Sequence, residues 1–277
     1  MHRPARQTRA RIWSFDGDLM TIRPDTLATE EPLEIRLLAG QQHQTVAITM
    51  RTPGNDFELA AGLLHSEGIV AERDAIDTIS YCIDGEQRYN VINVRLRSPA
   101  MPDIGALDRR GVISSACGVC GKTSLDALAI RAPAALSAGP RVAPSLLAAL
   151  PGRMRDDQEL FASTGAIHAA ALFDSAGQLL AVREDVGRHN ALDKLIGWAL
   201  LAGRLPLSEQ IVLLSGRASF ELLQKCLAAG APLVCAVSAP SSLALDVART
   251  YGITLVGFLR GQRLNVYCGI ERIERGA

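Results

Sequence analysis

Strict alternation marks Asn90 to Arg97, where Ile92, Val94 and Leu96 fall on one side and Asn93, Arg95 and Arg97 on the other. A period of two predicts a half-buried strand. Leu33 to Leu38 and Thr45 to Met50 are shorter strand-like runs separated by the turn formers of Ala39-Gly40-Gln41-Gln42-His43-Gln44, and they predict a hairpin. Arg51-Thr52-Pro53-Gly54 breaks that pattern. Asn55-Asp56-Phe57-Glu58 then resembles a capping box that opens a helix with Phe57, Ala60, Leu63 and Leu64 on one face, ending at Gly68. Ala166 to Phe173 and Gln178 to Val182 flank Asp174-Ser175-Ala176-Gly177 and predict a second hairpin. A helix is expected over Asn190 to Leu201, with Asn190 as its cap and Asp193 supporting the first turn.

The last third changes rhythm. Apolar Ile211 to Leu214, Leu233 to Val237 and Thr254 to Leu259 alternate with helical Ser219 to Ala229 and Ser241 to Tyr251. Continuous apolar runs separated by helices of this length indicate a βαβαβ unit with parallel strands covered on both faces. Ligands of such sheets gather beyond the carboxyl ends of the strands. Those ends carry Ser215-Gly216-Arg217-Ala218-Ser219, Ser238-Ala239-Pro240-Ser241-Ser242 and Arg260-Gly261-Gln262-Arg263. Between the halves, Ser124 to Leu150 is rich in Ala and Leu but holds Pro133, Pro140 and Pro144, so helical pieces are expected there.

Composition adds boundaries. The 277 residues are 48% hydrophobic and 21% charged, with 29 Lys plus Arg against 29 Asp plus Glu. This is a globular composition with no net field to concentrate the chain on nucleic acid or an acidic membrane, so any anion site must be local. Met1 to Trp13 has Arg3, Arg6, Arg9 and Arg11 but no apolar signal core, and it is expected to be a mobile basic tail. Cys226 to Leu245 lacks charge but holds Gly230, Pro232 and Pro240, which fits soluble strand and loop better than a membrane span. Six cysteines, four of them scattered, do not form a secreted disulfide framework. A cytoplasmic protein is expected.

The sharpest chemical signal is Ser115-Ala116-Cys117-Gly118-Val119-Cys120-Gly121-Lys122. Two thiols among glycines, beside a lysine and before a helix-start pattern, lie where the thiolate is favoured. Half a zinc site, a dithiol redox pair, an iron-sulfur ligand pair, a sulfur carrier and an inert surface pair all fit that spacing. A structural zinc site needs further ligands that the scattered cysteines do not supply, so no metal is expected. Ser215, Gly216, Arg217 and Ser219 sit at a strand-to-helix junction, where free N-H groups and a guanidinium suit a phosphate; the plain alternative is a cap at Ser219 with a solvated arginine. Arg260 and Arg263 strengthen the phosphate reading, against a solvated hairpin tip. Arg188 and His189 stand at another helix start, which structurally needs only its Gly and Asn. His168 lies in an apolar run, where a lone histidine is more often a satisfied core residue than a ligand.

Taken in order, these motifs resemble the FdhD-type formate dehydrogenase accessory proteins. The resemblance rests on Arg51-Thr52-Pro53-Gly54 with Ser66-Glu67-Gly68, the Cys117 to Gly121 loop, Thr164 to Ala170, Arg183 to Lys194, Ser215 to Glu221, Ser238 to Ser242 and Gly257 to Gly261. It covers nearly the whole chain after about Pro24. One departure is Ala166, where a second glycine is expected, and it bears on loop flexibility alone. The resemblance implies a sulfurtransferase that takes persulfide sulfur from a cysteine desulfurase and passes it to the molybdenum cofactor, Mo-bis(molybdopterin guanine dinucleotide), for formate dehydrogenase. Cys117 would carry the persulfide and Cys120 would be its partner. Phe258, Leu259, Arg260, Gly261, Gln262 and Arg263 would bind the cofactor, with GDP mimicking its nucleotide end. A homodimer is also implied.

The implied fold is α/β, a three-layer αβα arrangement with a mixed sheet, cytidine deaminase-like, plus a smaller N-terminal α+β portion. Its divisions would be a basic tail over 1–24, the α+β portion over 25–110, a mobile CxxC loop over 111–123 and the core with its crevice over 124–277. A zinc-dependent nucleobase deaminase is the alternative, but His168 is followed by Ala169-Ala170 rather than a catalytic Glu, and the CxxC lies upstream. A non-catalytic guanine nucleotide-binding module is a third reading, in which the cysteines would be dispensable.

Overall fold

The computed structural model describes residues 4–82, 89–103 and 136–274. Twelve strands form three sheets among the described residues. The first sheet is a two-stranded antiparallel ribbon of β1 (Gln7–Asp16) and β2 (Leu19–Ala28). It occupies much of the segment expected to be a mobile basic tail. That expectation is corrected for residues 7–24, and the physical reason is the near-absence of burial. Arg9 and Arg11 alternate with Ala10 and Ile12, and little of either face reaches a core, so the period-two signal carries no amphipathic contrast. Thr29 N donates to Arg6 O (3.0 Å) and closes the ribbon's base, and Gln7 Nε2 donates to Ser163 Oγ (2.7 Å), which ties that base to the body.

The second sheet holds β3 (Glu31–Ala39), β4 (Gln42–Arg51), β5 (Ile76–Tyr81) and β6 (Val91–Leu96) in the order β4-β3-β6-β5. Ile92, Val94 and Leu96 of β6 are buried while Arg95 is exposed, as their alternation predicts, and Leu33, Ile35 and Leu37 of β3 share their core. Helix α1 (Asp56–Ser66) covers that core. Residues 59 to 64 are all buried, so the single apolar face expected from Phe57, Ala60, Leu63 and Leu64 is too narrow; Phe57 itself stacks on Tyr81 at 4.9 Å and stays partly exposed. Asn55 holds the cap position without a side-chain bond, because its backbone adopts φ 56° and Glu58 is engaged with Arg183.

The third sheet runs β12-β11-β10-β9-β7-β8, built from β7 (His168–Phe173), β8 (Leu179–Asp185), β9 (Ile211–Leu214), β10 (Leu233–Ala236), β11 (Thr254–Arg260) and β12 (Arg263–Cys268). β9, β10 and β11 are parallel and the flanking pairs antiparallel, so the sheet is mixed. On one face, α4 (Arg188–Leu201), α5 (Phe220–Ala228) and α6 (Ser242–Tyr251) bury Leu195, Leu223 and Ala248 against Val212, Val234 and Leu255. On the other, α2 (Pro144–Asp156) places Leu147, Leu150 and Met154 against Leu213, Cys235 and Val256. Coverage of both faces gives the expected three layers. A short α3 (Glu159–Thr164) precedes β7. No described helix is long and apolar enough to cross a membrane.

α1 and α4 meet at Gly62 and Gly197. A Cβ on Gly62 would overlap the Asp193 carbonyl, and one on Gly197 would overlap the Glu58 carbonyl, so these backbones touch where the two sheets' layers join.

Candidate functional site

The ends of five strands converge on one edge of the third sheet. β9, β10 and β11 present their carboxyl ends there; β7, antiparallel to β9, presents its first residue; and β8, antiparallel to β7, presents its last. Backbone hydrogen bonds knit the loops after β9 and β10 and the end of β11 into one rim. Ser238 N donates to Gly216 O (3.2 Å), Phe258 N to Ser238 O (3.1 Å) and Ser241 N to Ala218 O (2.9 Å). The loops singled out by sequence therefore lie side by side.

Each sequence-predicted residue among those described has a definite place. Ser215 and Gly216 follow β9, with Ser215 Oγ accepting from Ala169 N at 2.8 Å. Arg217 is exposed on the same loop. Ser219 occupies the cap position of α5, but its hydroxyl makes no capping bond and is buried without a hydrogen-bond partner among the described residues, so the plain cap reading does not hold there. Ser241, by contrast, caps α6 by accepting from Ala244 N at 3.2 Å.

Arg188 begins α4 half-buried, and His189 is buried with Nε2 4.0 Å from Glu221 Oε2. Gly187, not Asn190, is the cap residue of α4. Asn190 instead bridges two elements, since its Nδ2 donates to Met50 O (2.7 Å) and Asp185 Oδ1 (3.1 Å) and so joins β4 to the corner before α4. Asp193, expected to support the first turn, instead takes both 2.8 Å contacts from Lys225 and one hydrogen bond from Ser66 Oγ.

Arg260, Gly261, Gln262 and Arg263 form the tip of the β11–β12 hairpin, with Gly261 at φ 56° and all four exposed. This is the geometry of the solvated alternative, although Arg260 Nε donates to Val237 O at 3.3 Å and so leans over the second loop. Leu259 is wholly buried in the core on the α2 side, so its side chain does not line the rim. Phe258 is 42% exposed and adopts φ 51°, a region that bulky residues rarely occupy. Cys117 and Cys120 lie outside the described residues.

Two features of the site escape sequence reasoning. His168 is not a core residue but stands half-buried at the rim, because it is the first residue of β7 rather than an interior one. Burial first, and the Arg188 charge second, push its pKa below the usual histidine range, against a smaller opposing effect of Asp185. The other feature is the Thr52 anchor: Thr52 N donates to Asp185 Oδ2 (3.1 Å), and Val186 N donates to Thr52 Oγ1 (3.2 Å). The apolar pattern gives no sign of a contact between residues so far apart in sequence.

Comparison with known proteins sharpens this picture. The model of the FdhD/NarQ family matches residues 28–274. The chain belongs to that family. It is 54% identical over 265 residues to the sulfur carrier protein FdhD of Streptomyces avermitilis, covering 93% of this chain and 92% of the relative. With the protein of the same name from Mycobacterium tuberculosis it shares 49% over 271 residues (95% and 97%), and with that of Sulfurisphaera tokodaii 42% over 265 residues (96% and 98%). A crystal structure of a Desulfotalea psychrophila protein, proposed as a formate dehydrogenase accessory protein, superposes with a TM-score of 0.75 at 25% identity, over 98% of this chain and 100% of that one. Family membership thus accords with the resemblance carried by the ordered motifs.

Proposed function

We propose that this chain is a cytoplasmic sulfurtransferase of the FdhD/NarQ family: it takes persulfide sulfur from a cysteine desulfurase onto Cys117 and passes it to Mo-bis(molybdopterin guanine dinucleotide), the cargo destined for formate dehydrogenase. The observation that carries this reading is the single rim formed by the loops after β9 and β10 and the end of β11, in a chain whose relatives are named sulfur carriers. Helix starts and the guanidinium groups of Arg188 and Arg217 at that rim suit the phosphates of a dinucleotide. GDP serves as a mimic of the nucleotide end.

The chemistry assigned to the thiols follows from their sequence setting. The donor's terminal sulfur leaves its own cysteine when the Cys117 thiolate attacks it, forming a new S–S bond on Cys117 and releasing the donor thiolate. Incubation with a desulfurase and cysteine, followed by intact-mass measurement, should show a gain of one sulfur that Cys117→Ala abolishes. A gain that persists in Cys117→Ala moves the carrier role to Cys120 or refutes the loop as carrier.

The homodimer assignment draws support from the ribbon. Trp13 and Phe15 are 68% and 66% exposed, and they pair across the strands with Ile22 and Met20, so an apolar patch covers the tip half of one face of the ribbon. A lone ribbon of this kind is marginally stable in water. The same face carries Arg9 and Arg11 toward its base, while Asp16 and Asp18 mark its tip. Two ribbons stacked head to tail about a two-fold axis would place each basic base beside the other's acidic tip. Sedimentation of Trp13→Glu should then report monomer where the parent reports dimer.

A further inference from the structure

His168 is a group that the sulfur-transfer reading does not use. Ser215 N donates to Ala169 O (3.0 Å) and Ser215 Oγ accepts from Ala169 N (2.8 Å), so the start of β7 is clamped to the loop after β9. The imidazole lies against Gly216: a Cβ there would sit 3.6 Å from Nδ1 and 3.7 Å from Cε1. In register, His168 pairs with Asp185 of β8, and Arg188 follows on the first turn of α4. The charged groups bearing on the ring are therefore Arg188 and Asp185, while the β9 loop contributes the uncharged Ser215 and Gly216 and the exposed Arg217. Among the described residues no hydrogen bond to the ring nitrogens is found. A half-buried imidazole whose nitrogens take up no hydrogen bond among the described residues thus stands beside the starts of α4 and α5.

We propose that His168 is the proton-linked anchor of this rim: it takes one proton from solvent when a phosphate-bearing ligand seats between Gly216 and Arg188, and as an imidazolium it donates a hydrogen bond to that ligand. The inference rests on the rim being the ligand site. The step forms one N–H bond on the ring and consumes one proton from the buffer, with no change of oxidation state.

The charge balance at the ring differs between the free and the bound protein. In the free protein, burial and the neighbouring guanidinium both disfavour a charged ring, so the histidine is neutral near pH 7. A bound phosphate offsets the Arg188 charge and adds an attraction of its own, which favours the imidazolium. The bound-state midpoint lies above the free one, so binding is strongest below the free midpoint and weakens as pH rises through the bound one. A midpoint shift of about one pH unit corresponds to roughly tenfold in affinity across that window. Arginine alone could not supply this dependence, because its charge does not titrate in the range.

The test is an NMR titration of the histidine ring signals of the full chain, with and without saturating GDP, using His168→Asn to assign the resonance. The His168 midpoint should rise by about one unit or more with GDP. GDP affinity, measured from pH 5.5 to 8.5, should fall more steeply with pH in the parent than in His168→Asn; ionisation of the GDP phosphate is common to both and cancels in the comparison. Unchanged His43 and His65 signals establish that the variant is folded. A midpoint that stays or falls while GDP binds overturns the inference and leaves the rim standing as the ligand site. Failure of the folded parent to bind millimolar GDP overturns both.

Discussion

The ammonium of Lys194 lies 2.7 Å from the Asp185 carboxylate with both side chains shut off from solvent, at the corner where β8 turns into α4. Two bare charges would not be tolerated there. Their remaining capacity is filled: Asp185 accepts from Gly187 N (2.8 Å), Asn190 Nδ2 (3.1 Å) and Thr52 N (3.1 Å), and Lys194 donates to Thr52 O (2.8 Å) and Glu184 O (3.3 Å). The pair thereby fastens the segment after β4 to the corner that presents Arg188, His189 and, across the strand, His168. Lys194→Met should cost about 3 to 5 kcal/mol, since it strands a buried carboxylate. Urea unfolding measures this, and a loss under about 1 kcal/mol would show that the pair is dispensable.

The touching helices make a second prediction. Gly197→Ala places a methyl group inside the Glu58 carbonyl, so α1 and α4 must separate and the core between them must loosen. Overpacking of this kind costs roughly 1 to 3 kcal/mol or more. Among the described residues Gly152 of α2 has nothing within 4 Å of its would-be Cβ, and Gly152→Ala should instead be neutral or stabilising by up to about 1 kcal/mol. Compared by thermal unfolding, Gly197→Ala should lower the midpoint, whereas Gly152→Ala should leave it unchanged or raise it.

Thiol reactivity gives a third. Burial pushes the Cys226 thiol up to about 12 and Cys235 further still, and it also raises half-buried Cys268, whose Sγ lies 3.3 Å from Ile253 O. At pH 8 a thiol with a pKa near 12 is thiolate in only about one molecule in ten thousand. Brief iodoacetamide treatment of the folded protein should therefore modify Cys117 or Cys120 and spare Cys226 and Cys235. Peptide mass mapping reads the sites. Rapid labelling of Cys235 would mean that the sheet opens far more readily than its packing implies.

The βαβαβ unit was legible in sequence because its strands are buried on both faces: Ile211 to Leu214 and Leu233 to Ala236 are apolar at every position, and flanking helices punctuate them. Burial pattern, not sequence distance, decides this. The ribbon was illegible for the converse reason, since Trp13, Phe15 and Ile22 face solvent among arginines and leave no inward side. At the site, the three loops followed from the rule that ligands gather at carboxyl strand ends. His168 did not, because β7 begins two residues later than the apolar run that starts at Ala166, which turns an interior histidine into a rim one. Asn190 resembles a cap in sequence because caps and long-range anchors use the same amide; its contacts with Thr49 and Met50 of β4 distinguish the two.

The arginines of the rim provide the last prediction. Arg217 and Arg260 both stand exposed on neighbouring loops, joined by a backbone bond from Ser238 N to Gly216 O and by the Arg260 side chain, whose Nε donates to Val237 O. If a nucleotide diphosphate seats there, each guanidinium that reaches it makes charge-assisted hydrogen bonds of about 1.5 to 3 kcal/mol. Removing one should weaken GDP binding by roughly ten to a hundredfold. Calorimetric titration of GDP into the parent, Arg217→Ala and Arg260→Ala proteins at fixed salt measures the loss, and the exposed Arg249 on α6 supplies a control, Arg249→Ala, that should bind like the parent. The hairpin geometry of Arg260 makes the comparison discriminating. An effect confined to Arg217 would assign the phosphates to the β9 loop and leave Arg260 as a solvated hairpin tip, whereas equal affinity in all four proteins would remove the rim as the nucleotide site.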